Sequence, residues 1–415
     1  MDNNLINSKT FCALPWTSMC VLSHGDVKPC CISKHDVVAG NIRDLPLQDI
    51  WNNDVYKTLR LDMLNGVKND ICSICYNGEK AGISTTMRTM SNKSSTRYQE
   101  LVDNMLPDGS MKNLELEWLD VRLSSVCNFK CRTCQSDTSS KWAEEDIKFG
   151  EVMPAHVLGP RGFHLLETET KYPLLPQIKE MLKTVKMIYF SGGEPLMHPE
   201  HYEILEYLIE SKNTDVVIKY NSNISLLKYK GKNIIDLWKH FKTVEYFASI
   251  DDVGEREEYI RHGAVWQEQV ENLKIIQAEA PHVELSFNMV VSLFNILYIT
   301  DAIDEVMSMI KKPKNFPHLQ RLETPTYFSI KVLDLETKKE VIKKLHNWLI
   351  KNKHQALFDK AVREIIEYIN EDHTHLMPIT KFHIDKIDAR RNENFVKTFP
   401  ELERFYNLCG EASAK

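Results

Sequence analysis

Three thiols stand within eight residues at Cys127, Cys131 and Cys134, separated by three residues and then by two. That spacing lets a single loop wrap one face of a metal cluster, and no fourth cysteine lies close by. A cubane iron–sulfur cluster held by three thiolates keeps one iron open to a cofactor or substrate, by the logic that separates catalytic from structural zinc sites. A zinc ion completed by a distant histidine is the competing reading. Further on, a strand-like run leads into Ser191-Gly192-Gly193-Glu194-Pro195. Two glycines at a strand end admit a ligand close to the backbone, and a carboxylate there can bind an ammonium group.

A second set lies upstream: Cys12, then Gly25 with Cys30 five residues later, then Cys72 and Cys75. The turn His24-Gly25-Asp26 predicts a hairpin that brings Cys12 and Cys30 together. Cys30 and Cys31 are adjacent and on a strand would point to opposite sides, so only one of them serves this site. Four such thiols suit an auxiliary iron–sulfur cluster or a structural zinc knuckle. Cys20, Cys31 and Cys409 read as small buried hydrophobes. His198 is either a base or a structural histidine at a helix start.

The elements that must position these groups follow from composition and periodicity. At 415 residues, 43% hydrophobic and 27% charged, the chain has the material for two or three globular domains. Nine of the ten cysteines fall in the first 134 residues, which argues for metal rather than disulfides and for a reducing, cytoplasmic setting. A net charge of −6 gives no global attraction to nucleic acid. No signal-peptide pattern opens the sequence. The apolar stretch 285–299 is cut by Ser286, Asn288, Ser292 and Asn295, so it is no membrane span.

From Leu114 onward the runs LEWLDVRL, KMIYF, DVVIKY, VEYFASI, VELSFNMVV and TYFSIKV predict strands, alternating with amphipathic helices such as EHYEILEYLIE and VWQEQVENLKII. Strict alternation requires a parallel sheet, with ligands at the carboxyl ends of its strands. Upstream, LQDIWNNDVYKTLRLDML reads as one helix, and a Ser/Thr-rich stretch closing in a PDGS turn marks a boundary. The connection 135–186 holds a helix near Lys141–Phe149 and a loop with Pro154, Gly159, Pro160 and Gly162. A connection that long is a candidate lid, as is the charged helical stretch 336–415.

The pairing of CxxxCxxC with GGEP closely resembles the radical S-adenosylmethionine (SAM) superfamily. The upstream spacing, with Trp16 and the HGDVKPCC hairpin, is similar to the twitch or SPASM auxiliary-cluster module, placed here before the barrel. The resemblance implies an α/β fold: a partial (β/α)6 barrel over 114–335, preceded by a small α+β twitch/SPASM-like domain over 1–83 and a linker over 84–113, and followed by a helical extension over 336–415. It implies a [4Fe-4S] cluster on Cys127, Cys131 and Cys134 whose open iron chelates the methionyl end of SAM. Gly192, Gly193, Glu194 and Pro195 would contact its amino group, with Asn221, Ser249, Asp251 and Asn288 near the rest of the cofactor. It implies an auxiliary [4Fe-4S] cluster on Cys12, Cys30, Cys72 and Cys75, with Cys30 chosen over Cys31 by the G-x4-C pattern. The expected chemistry is reductive cleavage of SAM to a 5′-deoxyadenosyl radical that takes a hydrogen from a small-molecule or peptide substrate. A flavodoxin- or ferredoxin-type protein would donate the electron. A saturated auxiliary cluster suggests electron acceptance and an oxidation, either dehydrogenation or cross-linking. Redox-neutral epimerisation and a non-catalytic metal module are the alternatives.

Overall fold

The structure is a computed structural model that describes residues 5, 7–34, 36–80, 86–151, 174–310, 317–351 and 355–413. The loop carrying Pro154, Gly159, Pro160 and Gly162 lies outside them. The chain forms two compact units: Met1–Val126, Gly150–Tyr220 and Lys230–Val244 in the first, and Cys127–Phe149, Asn221–Tyr229 and Glu245–Lys415 in the second.

In the first unit the strands are β1 (Ser18–Val21), β2 (Asp26–Lys28), β3 (Gly40–Asn41), β4 (Trp118–Arg122), β5 (Met187–Ser191) and β6 (Val217–Ser222). They pair in the order β3-β2-β1-β4-β5-β6. The hairpin β1–β2 forms around the expected turn, and β1 then pairs in parallel with β4. The N-terminal hairpin therefore continues the parallel sheet rather than standing apart from it. Leu119, Val121, Ile188, Phe190 and Ile218 alternate onto one buried apolar face. The stretch expected as one helix is two, Leu47–Trp51 and Asp54–Leu64. Asn53 breaks it, because its side chain accepts the Tyr56 N–H and caps the second helix. Arg60 locks this helix to the PDGS turn: buried over the Trp51 ring at 4.4 Å, it donates to the carbonyls of Pro15 and Gly109.

Two short strands follow, β7 (Lys228–Tyr229) and β8 (Lys232–Asn233), before β9 (Val244–Ser249), β10 (Glu284–Val291) and β11 (His318–Arg321). In the second unit β9, β10 and β11 run parallel. The segment TYFSIKV, expected as a strand, is instead two 3-10 turns, Thr326–Phe328 and Ile330–Val332. Ser329 caps the second turn by accepting the Lys331 N–H, and Lys331 turns inward to Glu371. The hydrophobic side chains of this segment are buried by turns instead of by a sheet. The pairing strand is the half-exposed His318–Arg321, whose sequence carries no alternation. The C-terminal stretch is helical as expected, with long helices at Leu335–Lys351, Gln355–Ile369 and Met377–Arg391.

Candidate functional site

The loop Cys127–Cys134 in the second unit is held by its backbone. Lys130 N–H donates to His262 O at 2.9 Å and Arg132 N–H to Ile260 O at 2.7 Å. Gly263 permits this approach: its φ is +106°, and a Cβ there would sit 2.9 Å from Asn128 O. The three thiols pack with Phe129 and Ala264, Cys127 and Cys131 buried and Cys134 partly so. The helix Ser140–Lys148 starts against the loop, capped by Ser139, whose hydroxyl also donates to Phe129 O. Ser140 Oγ accepts the Cys127 N–H, and Trp142 Nε1 donates to Cys131 O. Its N-terminal dipole favours thiolates on the loop. A hydrogen bond from Cys131 draws Cys134 down to about 7, aided by the Arg261 guanidinium. Arg261 is itself buried. Desolvation opposes its charge, but Cys131, Asp251 and Glu257 more than offset that and hold its pKa up. Converging thiols beside a buried cation are a donor set that fits an anionic iron–sulfur cluster.

Around this loop the second unit gathers the other barrel residues. Asn288 Nδ2 donates to Asn221 Oδ1 at 2.7 Å, and Ser249 lies opposite Asn288 in the β9–β10 register. Asp251 is fully buried, and each of its oxygens already has a donor, Val290 N–H at 2.7 Å and Arg261 at 3.1 Å. Its carboxylate thus joins the backbone of β10 to the Arg261 guanidinium. Burial pushes Glu257 up to about 8, and it accepts the backbone N–H groups of both Asp251 and Asp252.

Sequence reasoning missed a second ring of residues. Asn223 donates to Asn128 Oδ1 and approaches Cys127 Sγ at 3.9 Å. From the C-terminal helix Met377–Arg391 and the residues after it, Asp388 and Glu393 each accept a 2.6 Å bond from buried Arg132, which lies between Cys131 and Cys134. Glu393 also bonds His262 Nδ1 at 2.6 Å, and Arg391 pairs with Glu145, which takes Lys130 as well. Partners more than 240 residues from the cysteines leave no local sequence signal. In Arg132→Met both carboxylates lose their buried cation, a loss that costs about 3–5 kcal/mol. Denaturant unfolding of the apoprotein should show that drop, while Arg132→Lys should recover part of it. An unchanged midpoint would mean the clamp carries no weight.

In the first unit β5 delivers Ser191 into Gly192-Gly193-Glu194-Pro195. A Cβ on Gly193 would lie 2.2 Å from Val126 O, so only glycine fits. Glu194 N–H donates to Val126 O at 2.8 Å, and Val126 directly precedes Cys127 in the chain. Buried Glu194 accepts the Leu196 N–H at 3.1 Å. His198 is buried, and desolvation, with Lys230 nearby, lowers it to about 4. It stays neutral near pH 7, which suits a structural histidine.

The same unit places Cys12, Cys30, Cys72 and Cys75 on the wall of one cavity. Leu14, Ile32, Leu59, Met63 and Met87 complete much of its lining. Burial pushes Cys12 up to about 11 and Cys72 up to about 12, so metal binding there must release protons. Arg88 also lines the cavity, paired with Glu79 and donating to the carbonyls of Ser8 and Phe11. It supplies a fixed cation beside four thiols, again a fit for an anionic cluster. Cys30 and Cys31 lie in a turn past β2 rather than on a strand. Cys30 lines the four-thiol cavity, and Cys31 is not among its lining residues. Cys31 is half-buried rather than fully buried, whereas Cys20 and Cys409 are buried as expected. Among the described residues no three His, Cys, Asp or Glu side chains form a group suited to a single metal ion.

Two family models match the chain: the iron–sulfur cluster-binding SPASM domain over residues 12–76 and the radical SAM superfamily over residues 121–306. Residues 121–306 therefore form a radical SAM domain, and a SPASM domain precedes it in the sequence. The chain's cofactors are iron–sulfur clusters and SAM, and its α/β architecture, with a small N-terminal domain and C-terminal helices, is of the radical SAM type. Among curated proteins it is similar to a GTP 3′,8-cyclase of Campylobacter lari, 24% identical over 119 residues that cover 29% of this chain and 31% of that one. The chain thus spans about a third of that relative's length. Among solved structures it is similar to anSMEcpe with bound AdoMet, at 16% identity and TM-score 0.34, covering 55% of this chain and 58% of that one. It is also similar to Streptococcus suis SuiB bound to precursor peptide SuiA, at 14% identity and TM-score 0.37, covering 68% and 60%. No helix among the described residues is long and apolar enough to cross a membrane.

Proposed function

We propose that this radical SAM protein catalyses a substrate oxidation, a dehydrogenation or a cross-link, with the SPASM-domain cluster as electron acceptor. The observation that carries this reading is the single cavity walled by Cys12, Cys30, Cys72 and Cys75. Four thiolates saturate a cubane and reserve no iron for substrate, so electron transfer is the remaining role. Thiols spread around a cavity also suit a multi-iron cluster better than a single zinc ion.

Cys127, Cys131 and Cys134 hold the other cluster, which when bound supplies the electron that cleaves SAM. Gly192 and Gly193, packed against the backbone of Ser124 and Val126, bring the turn to the methionyl end, whose ammonium Glu194 takes. Asn221, Ser249 and Asn288 orient the nucleoside end, while Asp251 fixes their strands. An electron donor of the flavodoxin or ferredoxin type and a small-molecule or peptide substrate complete the reaction. The test is to incubate reconstituted, reduced protein with SAM and candidate substrates in deuterated water. Formation of 5′-deoxyadenosine with a product two hydrogens poorer supports the proposal. Solvent deuterium retained in a product of unchanged mass class indicates epimerisation, and no 5′-deoxyadenosine at all indicates a non-catalytic metal module.

Glu194→Gln separates charge from fold. Glutamine keeps an oxygen for the Leu196 N–H, so the turn survives, but the ammonium loses its counter-charge. A charge-assisted bond is worth about 1.5–3 kcal/mol, so SAM affinity should fall by roughly ten- to a hundredfold with iron content intact. Unchanged affinity by calorimetry would remove Glu194 from the site.

A further inference from the structure

Within the segment Asn221–Tyr229 of the second unit the backbone makes a strained turn. Ile224 has a φ of +55°, in the left-handed region that β-branched side chains avoid. Four hydrogen bonds from side chains hold the turn in place. Ser222 Oγ accepts the Ile224 N–H at 3.2 Å, and Asn223 Oδ1 accepts the Ser225 N–H at 3.0 Å. From the helix Trp266–Glu279, Gln269 Nε2 donates to Asn223 O at 3.0 Å and Asn272 Nδ2 to Ile224 O at 2.8 Å. Gln269 and Asn272 are three residues apart and so share one helix face. Strained backbone of this kind costs about 1–3 kcal/mol and gathers at functional sites.

The turn sets the direction of the buried Asn223 amide. A backbone N–H can only donate, so its bond to Asn223 Oδ1 fixes which end of the amide is nitrogen. One Nδ2 hydrogen goes to Asn128 Oδ1 at 2.9 Å, and Asn128 Nδ2 in turn donates to Ser225 Oγ at 2.9 Å, closing a ring through Asn223, Asn128 and Ser225. That leaves the other Nδ2 hydrogen for Cys127 Sγ, which stands 3.9 Å from the nitrogen. The Phe129 N–H reaches the same sulfur at 3.4 Å. A neutral thiol is a weak acceptor, whereas a thiolate that carries a cluster holds negative charge and accepts N–H groups more strongly. Reduction adds a further electron, so such donors stabilise the reduced cluster more than the oxidised one, and hydrogen bonds to the sulfurs are among the factors that set a cluster's potential.

We propose that Asn223 is a positioning residue of the SAM-cleaving centre, whose side-chain N–H is held against the Cys127 sulfur and raises the reduction potential of the cluster on Cys127, Cys131 and Cys134. The strained turn serves that placement, because a relaxed φ at Ile224 would break the Asn223–Ser225 bond that orients the amide. The assignment concerns the cluster that cleaves SAM and does not rest on the substrate oxidation proposed above.

The test is a redox titration of the reconstituted protein followed by electron paramagnetic resonance, in which the signal that changes when SAM is added belongs to the cluster on Cys127, Cys131 and Cys134. Asn223→Ala should keep its iron, and at a fixed solution potential its reduced-to-oxidised ratio for that signal should fall roughly three- to tenfold, a shift of about 30–60 mV to lower potential at about 59 mV per tenfold. Asn223→Asp, which keeps an oxygen for the Ser225 N–H and sets a carboxylate beside the sulfur, should shift the midpoint further in the same direction. Ser225→Ala opens the ring at Asn128 but keeps the Ser225 N–H, so its midpoint should stay close to that of the parent. The N-terminal cluster should titrate alike in all of these proteins. A parental midpoint in Asn223→Ala, or an equal shift in Ser225→Ala, would overturn the proposal. So would loss of the SAM-responsive signal from both Asn223 variants, which would make the amide a scaffold of the loop and not a tuner of its potential. Because the potential is read without substrate, a chain that cleaves SAM in a redox-neutral reaction would refute the proposed function and leave this assignment standing.

Discussion

Replacing Cys127, Cys131 and Cys134 together by alanine should abolish cleavage of SAM and leave the N-terminal cluster in place. The three thiols sit on one loop of the second compact unit, while Cys12, Cys30, Cys72 and Cys75 wall a cavity in the first. The two sets share no residue. Loss of the first set removes every protein ligand from the cluster that would bind SAM, so 5′-deoxyadenosine should fall to background rather than to a fraction. Iron should drop from about eight to about four per chain if both sites are cubanes. The loop itself should survive, because the backbone bonds of Lys130 and Arg132 and the ion pairs of Arg132 do not involve sulfur. Unaltered helical content by circular dichroism checks that point. A triple variant that loses all its iron while keeping zinc would reverse the assignment of the N-terminal site.

Much of this arrangement was legible because the informative residues are close in sequence. CxxxCxxC lies on one loop and GGEP on one turn, so two short motifs suffice for the resemblance that implies their chemistry, and the hairpin at Gly25 is a local turn signal of the same kind. The misreadings come from tertiary context. TYFSIKV has the composition of a strand, yet Ser329 capping a turn and Lys331 reaching Glu371 bury its apolar side chains without a sheet. His318–Arg321 carries no alternation because it is half-exposed, and only pairing with β10 reveals it. The Asn52–Asn53 break was visible as two weak helix formers, but the hydrophobic period of the flanks concealed it. The clamp on Arg132 was beyond reach, since Asp388 and Glu393 come from a charged helix and the turn after it, which read as solvated surface.

Cys72 and Cys75, replaced together by serine, distinguish an electron relay from a structural plug. The change removes half the thiols of the four-thiol cavity, and either role predicts a less stable N-terminal module. In the first unit β1 also pairs with β4, so some loss of folded protein is expected and all rates must be taken per folded chain. The cluster loop of the second unit keeps its own thiols and its own backbone and ion-pair supports. A relay therefore predicts that dithionite-reduced double variant still produces 5′-deoxyadenosine at a rate within a few-fold of the parent. Oxidised product should then fall below detection, because the substrate radical has no acceptor for its electron. A plug predicts that cleavage and product formation decline together, in proportion to the folded fraction. Product formed at the parent rate per folded chain would reject the relay, because electrons would then be leaving the substrate by a route that bypasses the cavity of Cys12, Cys30, Cys72 and Cys75.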